Sequence, residues 1–420
     1  TRGRARLLFE MLEGDVITDG WQSTEVRDAL DLCLACKGCR SDCPVNVDMA
    51  TYKAEFLCHH YKGRLRPLAH YSMGWLPLLS RVAMIAPRPI NMFAHTPGVQ
   101  PLLKRAGGID RHRDIPRFAH RRFTSWFARR GDRPQTATRG PVVLWPDTFT
   151  NNFDTDIARA ALAVLEDAGF EVRVPEQAVC CGLTWISTGQ LDAAKHVARR
   201  TLEVLKPALR ESIPVVVLEP SCAAVFRADL PELLRGDEDV HRLASLTRTL
   251  GEVLRERAPD WRPGGNNQAG SALVQPHCHQ HAVLGTGADV DALGTAGVDG
   301  ELLDAGCCGL AGNFGFEKGH YDVSVACAED KLMPAVRSAA PDKTIVADGF
   351  SCRTQISHLD GSRAPVHTAQ VLAAALSSSD TGAGQQHGPR RKLAKTGPAL
   401  AALAGMGVLA AGWAAVRRRR

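Results

Sequence analysis

The 420-residue sequence contains no CxxCH, and Cys58-His59 has no companion cysteine, so a covalently attached c-type haem is excluded. A strand-to-helix G-x-G-x-x-G turn is also missing. The glycine-rich stretch Gly306–Gly315 spaces as GxxGxxG, so no flavin or nicotinamide site is visible and these glycines read as packing. Basic residues form no domain-wide stripe. The formal charge is +6, with arginine concentrated in 111–133 and at the last four positions, so nucleic-acid binding is not indicated. At 45% hydrophobic and 23% charged residues, disorder is excluded as the main state. No leader peptide opens the sequence, and its thirteen cysteines fall in clustered spacings. That combination points to metal in a reducing, cytoplasmic compartment instead of a disulfide framework. The first residue is Thr, and Leu7, Leu8, Met11 and Leu12 recur at helical spacing at once, which suggests that something precedes this helix.

Against these absences stands CLACKGCRSDCP, residues 33–44. Cys33, Cys36, Cys39 and Cys43 followed by Pro44 have the spacing of a bacterial [4Fe–4S] site, in which the fourth cysteine serves a different cluster. Thiolates two residues apart in a tight loop can face one cubane. Gly38 admits close backbone approach, and Pro44 diverts the chain. A structural zinc site is the alternative, but zinc usually takes separated CxxC pairs. Cys58 reads as a small buried hydrophobe.

The fold class read from the pattern is a mixture of α+β and α/β: a small all-helical ferredoxin-like domain, then two duplicated α/β domains. Residues 1–70 are the helical unit, and 71–140 a proline-punctuated, apolar and then basic connector. From 141 strands and helices alternate. A first repeat at 141–262 has strands at 141–147, 170–175 and 214–222, with helices at 154–168, 189–210 and 238–257. A second repeat at 270–376 has strands at 272–278 and 343–352 and a helix at 320–338. Residues 377–397 read as a linker, and 398–420 as an apolar tail ending in arginines.

Each repeat carries a CCG triplet, Cys180-Cys181-Gly182 and Cys307-Cys308-Gly309. Vicinal thiols diverge too far to pair usefully with each other. With Cys222, Cys278 and Cys352 they form a candidate metal-ligand set placed at strand or loop ends, facing one another across the repeats. Aligning Pro146 with Pro276 puts Thr148 where the second repeat has Cys278, so the first repeat lacks one thiol.

The segments PVVLWPDTFTNNF, EPSCAAVFR, PHCHQHAVLG and DGFSCRTQI, with the two CCG triplets, resemble the CCG repeats of heterodisulfide reductase. They are also similar to the iron–sulfur subunits of glycolate oxidase and anaerobic glycerol-3-phosphate dehydrogenase. The resemblance is strongest to fused FAD-linked D-2-hydroxyacid dehydrogenases of the D-lactate or D-2-hydroxyglutarate type. It implies an oxidoreductase in which electrons pass from FAD, on an upstream part or partner, through a [4Fe–4S] cluster at Cys33–Cys43 to the CCG site. A second cluster could sit there, and an acceptor such as a quinone follows. It further implies that a first cluster motif lies upstream, supplying a fourth thiol to Cys33, Cys36 and Cys39 while Cys43 serves the other cluster. Val225 and Gln355 occupy positions where the fuller pattern has a cysteine, which argues against a many-ligand noncubane cluster. No residue is assigned a catalytic role. Thiol–disulfide chemistry and a zinc-stabilised scaffold remain the alternatives.

Three further features bear on function. His277, His279 and His281 flank Cys278 and could ligate metal or carry protons; hydrogen bonding around a strand end is the simpler reading. The aromatic and basic stretch 117–130 either covers its neighbour or lies on an anionic membrane. The apolar run 398–416 before Arg417 is long enough to tether a cytoplasmic protein to the inner face of a membrane.

Overall fold

Short strands separated by helices form two parallel sheets. In the computed structural model, which describes residues 1–131, 137–264 and 270–376, the first sheet contains Pro141–Leu144 (β1), Glu171–Arg173 (β2), Val215–Val216 (β3) and Thr247–Arg248 (β4), in the order β2-β1-β3-β4. The register sets Val143 against Val215 and Val142 against Val172. Alternate residues point to opposite faces: Val143, Trp145 and Val215 enter one buried cluster, and Val142, Leu144 and Val216 another. A parallel sheet covered on both sides reads as unbroken hydrophobic sequence, which is what PVVLW is.

The second sheet contains Gly270–Val274 (β5), Val298–Leu302 (β6) and Thr344–Val346 (β7), in the order β6-β5-β7. Its three strands follow the same order as β2-β1-β3. The edge strand β6 was not expected from the sequence, because Asp299, Gly300 and Glu301 give it none of the usual apolar signal.

Several strands are shorter than the sequence suggests, and for one reason. Strand β3 ends at Val216 and Pro220–Ala224 is helical; β7 ends at Val346 and Phe350–Leu359 is helical. Pro220 sits in the first turn of its helix, where its missing N–H costs nothing. Helix 238–257 is two helices, Glu238–Leu246 and Leu250–Arg257, separated by β4; Thr249 and Glu252 form a capping box that starts the second. Helix 320–338 breaks at Lys331.

The N-terminal part is helical: Arg2–Glu13 (α1), Thr24–Asp31 (α2), Gly38–Asp42 (α3) and Met49–His60 (α4). Its core is Met11, Val26, Leu30, Met49, Phe56 and Leu57, with Cys33 among them. Four short helices follow: Leu68–Ser72 (α5), Leu76–Ala83 (α6), Pro87–Ala94 (α7) and Val99–Ala106 (α8). Residues 117–130 contain only the short helix Phe123–Phe127, and Phe123 is fully buried in the first sheet's core. This stretch therefore covers its neighbour. The chain 1–377 is one compact unit, since Ala369 and Leu372 of the last described helix join the core beneath the first sheet. Residues 398–420 lie outside the described residues.

Candidate metal centre

In a parallel sheet all strands end on the same side, and ligand sites form beyond those ends. The cysteines lie there in both units. Thr148 follows β1, Cys180 and Cys181 follow β2, and Cys222 follows β3; Cys278, Cys307 with Cys308, and Cys352 follow β5, β6 and β7 in the same order.

The second unit brings four thiols into one chain of contacts. Cys307 meets Cys278 and Cys308, and Cys308 meets Cys352. Hydrogen bonds to Cys278 and Cys308, with burial, push Cys307 well above the ordinary thiol range, and the bond to Cys308 does the same to Cys352. Cys308, receiving bonds from Cys307 and Cys352, is pushed well below it.

Three thiols meet in the first unit. Cys181 and Cys222 lie 3.0 Å apart and Cys180 contacts Cys181. All three are raised. For Cys222 the bond from Cys181 works downward, but burial and the Asp147 and Glu219 carboxyls prevail and push it up to about 12. Thr148, in the fourth position, begins a short helix capped by Asp147, whose carboxylate accepts from Phe149 N at 2.8 Å and Thr150 N at 3.0 Å.

Asp147 and Glu219 were not singled out in the sequence, because one looks like a helix cap and the other like a residue beside a proline. Both are fully buried. Glu219 is pushed up to about 7 by burial and then by Asp147. Its carboxylate accepts from Ser221 Oγ at 2.8 Å and, across the units, from Phe350 N at 2.9 Å. Position for position the second unit has His277 and Gly349. Space explains the exchange: a Cβ at Gly349 would collide with the His277 ring.

Cys33, Cys36 and Cys39 lie in a loop held by three ties. Ala35 and Lys37 both take the left-handed conformation, at φ 53° and 60°, which non-glycine residues adopt only when their surroundings enforce it. Lys37 is buried between Asp48 at 2.6 Å and Asp229 of the first unit at 2.8 Å. His279 of the second unit contacts the Ala35 carbonyl through Nε2 at 3.0 Å, and His320 meets Asp31 at 2.8 Å. Met49 N donates to Cys39 Sγ at 3.4 Å. Cys36 is pushed up to about 12 by burial and then by Cys278, with smaller contributions from Cys33 and Cys39. The N-terminal loop and the second unit are therefore electrostatic neighbours. Cys43 is only partly buried, and backbone N–H groups of Val47 and Val45 lower its thiol.

The histidines divide. His277 and His279 are buried, and burial lowers both, His277 to about 3; His281 is exposed. Cys58 packs against the first unit's core. Gln355, where a further cysteine was missing, accepts from Arg113 Nη1 at 2.6 Å and donates to the Ser324 carbonyl at 3.1 Å, while Val225 is fully buried in the core.

Between the two units and the N-terminal loop lies a largely apolar cavity of about 290 Å³, lined by Cys36, Cys181, Cys222, Cys278, Glu219 and Phe350, among others. Phe149 of the first unit stacks on Phe350 of the second at 4.3 Å across it. Sulfur donors of this kind suit zinc or iron–sulfur clusters. The second unit's four thiols, Cys308 and Cys352 buried and Cys278 and Cys307 half-buried, fit such a group, and the first unit's three are one short.

Comparison with known proteins agrees with this chemistry. The CCG cysteine-rich domain family matches residues 148–227. D-2-hydroxyglutarate dehydrogenase of Escherichia coli (strain K12) is 24% identical over 356 residues, covering 81% of this chain and 34% of that protein. One of the subunits of the anaerobic glycerol-3-phosphate dehydrogenase of the same organism is 26% identical over 292 residues, covering 68% of this chain and 72% of that subunit. Lactate utilization protein A of Bacillus thuringiensis (strain Al Hakam) is 26% identical over 247 residues, covering 55% and 98%. The chain spans about a third of the length of the D-2-hydroxyglutarate dehydrogenases it matches. The chain contains a CCG cysteine-rich domain and is homologous to these proteins.

Proposed function

We propose that the chain is the iron–sulfur electron-transfer portion of an FAD-linked D-2-hydroxyacid dehydrogenase of the D-lactate or D-2-hydroxyglutarate type. Electrons would leave a flavin on a further domain or partner subunit, and reach an acceptor such as a quinone by way of the Cys33–Cys43 and CCG sites. One observation carries this reading: the Cys33–Cys39 loop is seated against the second unit, with Cys36 beside Cys278 and His279 holding Ala35. Clusters bound at these thiols would supply one-electron transfer. Cys33, Cys36, Cys39 and Cys43 are the proposed ligands at the N-terminal motif. Cys278, Cys307, Cys308 and Cys352 are those of the second unit, and Cys180, Cys181 and Cys222 form an incomplete set. The chain's own part is to bury these thiols, hold the loop through Lys37 and donate N–H bonds to sulfur, factors that set a cluster's potential. The common strand order of the two sheets supports an internal duplication.

Anaerobically purified protein is expected to be brown and to contain iron and acid-labile sulfide. It should reduce dye with D-lactate or D-2-hydroxyglutarate only when a flavin-bearing segment is supplied. Zinc without sulfide ends the reading in favour of a scaffold. The 3.0 Å separation of Cys181 and Cys222 favours a second reading, thiol–disulfide chemistry of the heterodisulfide reductase kind; thiol titration before and after mild oxidation tests it. We place the protein in the cytoplasm. Among the described residues no helix is long and apolar enough to cross a membrane, and a tether through 398–420 is tested by fractionating full-length and shortened chains.

A further inference from the structure

Between Glu55 and Asp110 the sequence has no acidic residue. Lys62, Arg64, Arg88 and Arg105 are exposed there. So are large apolar side chains: Leu65 is 90% exposed, Ile85 81% and Leu102 68%, with Leu68, Val82 and Met92 beside them in sequence. Residues 1–54 also expose Leu12, Val16 and Val45, but with acidic residues among them, whereas from Asp110 to Leu376 only Leu302, at 44%, is an exposed large apolar side chain among the described residues.

The helices that carry these groups are inverted relative to a solvated surface helix, which buries its apolar stripe. Helix α6 buries Pro77, Ser80 and Ala83 and exposes Leu78, Leu79 and Val82. Helix α8 buries Lys104, whose ammonium donates to the Arg111 carbonyl at 3.1 Å, and exposes Leu102. In α7 Ala94 is buried and Met92 exposed. Five to eight residues long, these helices can lie on a bilayer but not span one. The outward face also runs into the cavity: Leu79 lines it together with Met73 and Leu76.

We propose that residues 62–105 form an interfacial docking surface for an anionic membrane, with the apolar side chains at the level of the headgroups and the arginines against lipid phosphates. Charge complementarity favours this occupant, because an apolar face whose own segment carries cations and no carboxylate matches an anionic bilayer, although Asp114, 3.8 Å from Lys104, is an exposed acid beside it. With the face so docked, the cavity beside Cys181, Cys222 and Cys278 opens toward the lipid, where a lipid-soluble acceptor resides. The docking stands alone; only the acceptor's entry rests on the electron-transfer reading.

The test is hydrogen exchange and sedimentation of the full chain with vesicles of equal parts phosphatidylcholine and phosphatidylglycerol, and with phosphatidylcholine alone. Exchange in peptides spanning 62–105 should slow on the anionic vesicles. Replacing Ile85→Glu together with Leu102→Glu should abolish that slowing and weaken partitioning at least about tenfold. Arg88→Gln and Arg105→Gln should each weaken it about fivefold. All four side chains are exposed, and unchanged thermal melting of the variants excludes unfolding. Slowing confined to 398–416, or slowing at 62–105 produced by a flavin-bearing partner and not by lipid, overturns the proposal. Metal analysis of the same preparation separates the two readings: docking without iron leaves the surface standing and removes the electron-transfer role.

Discussion

In the first unit Cys180, Cys181 and Cys222 are all raised, Cys222 partly by the buried carboxyls of Asp147 and Glu219; in the second, Cys307 and Cys352 are raised too, but Cys308, bonded to both, is lowered. The two share a strand order and a CCG turn, so topology does not make the difference. Three positions beside the thiols differ, Asp147 against His277, Thr148 against Cys278, and Glu219 against Gly349, although Glu219 also raises Cys352 across the units. A carboxyl near a thiol disfavours a second negative charge, while a neutral imidazole does not. The same scaffold therefore carries two different thiol environments.

The comparison can be broken most directly at the thiols. Cys308→Ser should lower metal affinity of the second unit at least about hundredfold, while Cys181→Ser leaves that unit's signal intact. Equal losses of iron and of the visible spectrum in both variants would mean one shared site. Thr148→Cys works in the opposite direction. With a fourth thiol the first unit should gain metal, by roughly ten- to hundredfold in affinity, read as added iron per chain.

The turns differ as well. Gly182 and Gly309 are both left-handed, at φ 90° and 81°, but a Cβ at Gly309 would strike the Ser324 carbonyl and come within 2.9 Å of Cys327 Cβ, whereas at Gly182 the nearest atom is 3.6 Å away. Gly309→Ala should therefore cost about 3 kcal/mol or more in urea unfolding, and Gly182→Ala about 1 kcal/mol. Equal costs would show that the two CCG turns are equivalent.

The smallest effect concerns pH. Burial and then Asp348 push Asp289 up to about 7 from 3.8, where it accepts from Gly251 N and Thr249 Oγ1 of the first unit at 3.2 Å. The folded chain keeps a proton that the unfolded chain has released, so stability is complete below the unfolded pKa and falls as pH rises toward 7. Asp289→Asn should flatten that fall by on the order of 1–3 kcal/mol. Glu219, raised in the first unit, predicts the same sign for Glu219→Gln. If stability at neutral pH is unchanged in both, the buried carboxyls do not distinguish the units.

The sequence made the alternation of strand and helix, the repeated CCG triplets and the missing thiol at Thr148 legible, because each depends on local spacing. It did not disclose β6, whose polar residues suit an edge, or the helices that begin at Pro220 and Phe350, where apolar character continues from strand into helix without a break. Glu219 and Asp147 were invisible for a different reason. Their role comes from long-range burial and from each other, and neither has a motif. Val225 and Gln355 registered only as absent cysteines, yet one fills the core and the other holds Arg113.

The ties on the Cys33–Cys39 loop have a consequence for how the chain is made. Asp31 is joined to a histidine that lies 289 positions later, and Lys37 to an aspartate beyond the first CCG triplet. At about 5–20 residues per second, roughly 15–60 s of synthesis separate the loop's emergence from that of His320. For that interval its thiols are without their later neighbours, open to oxidation or adventitious metal. The loop's final packing must then wait for the second unit, and a nascent chain paused before residue 320 should be the form most in need of a protecting factor.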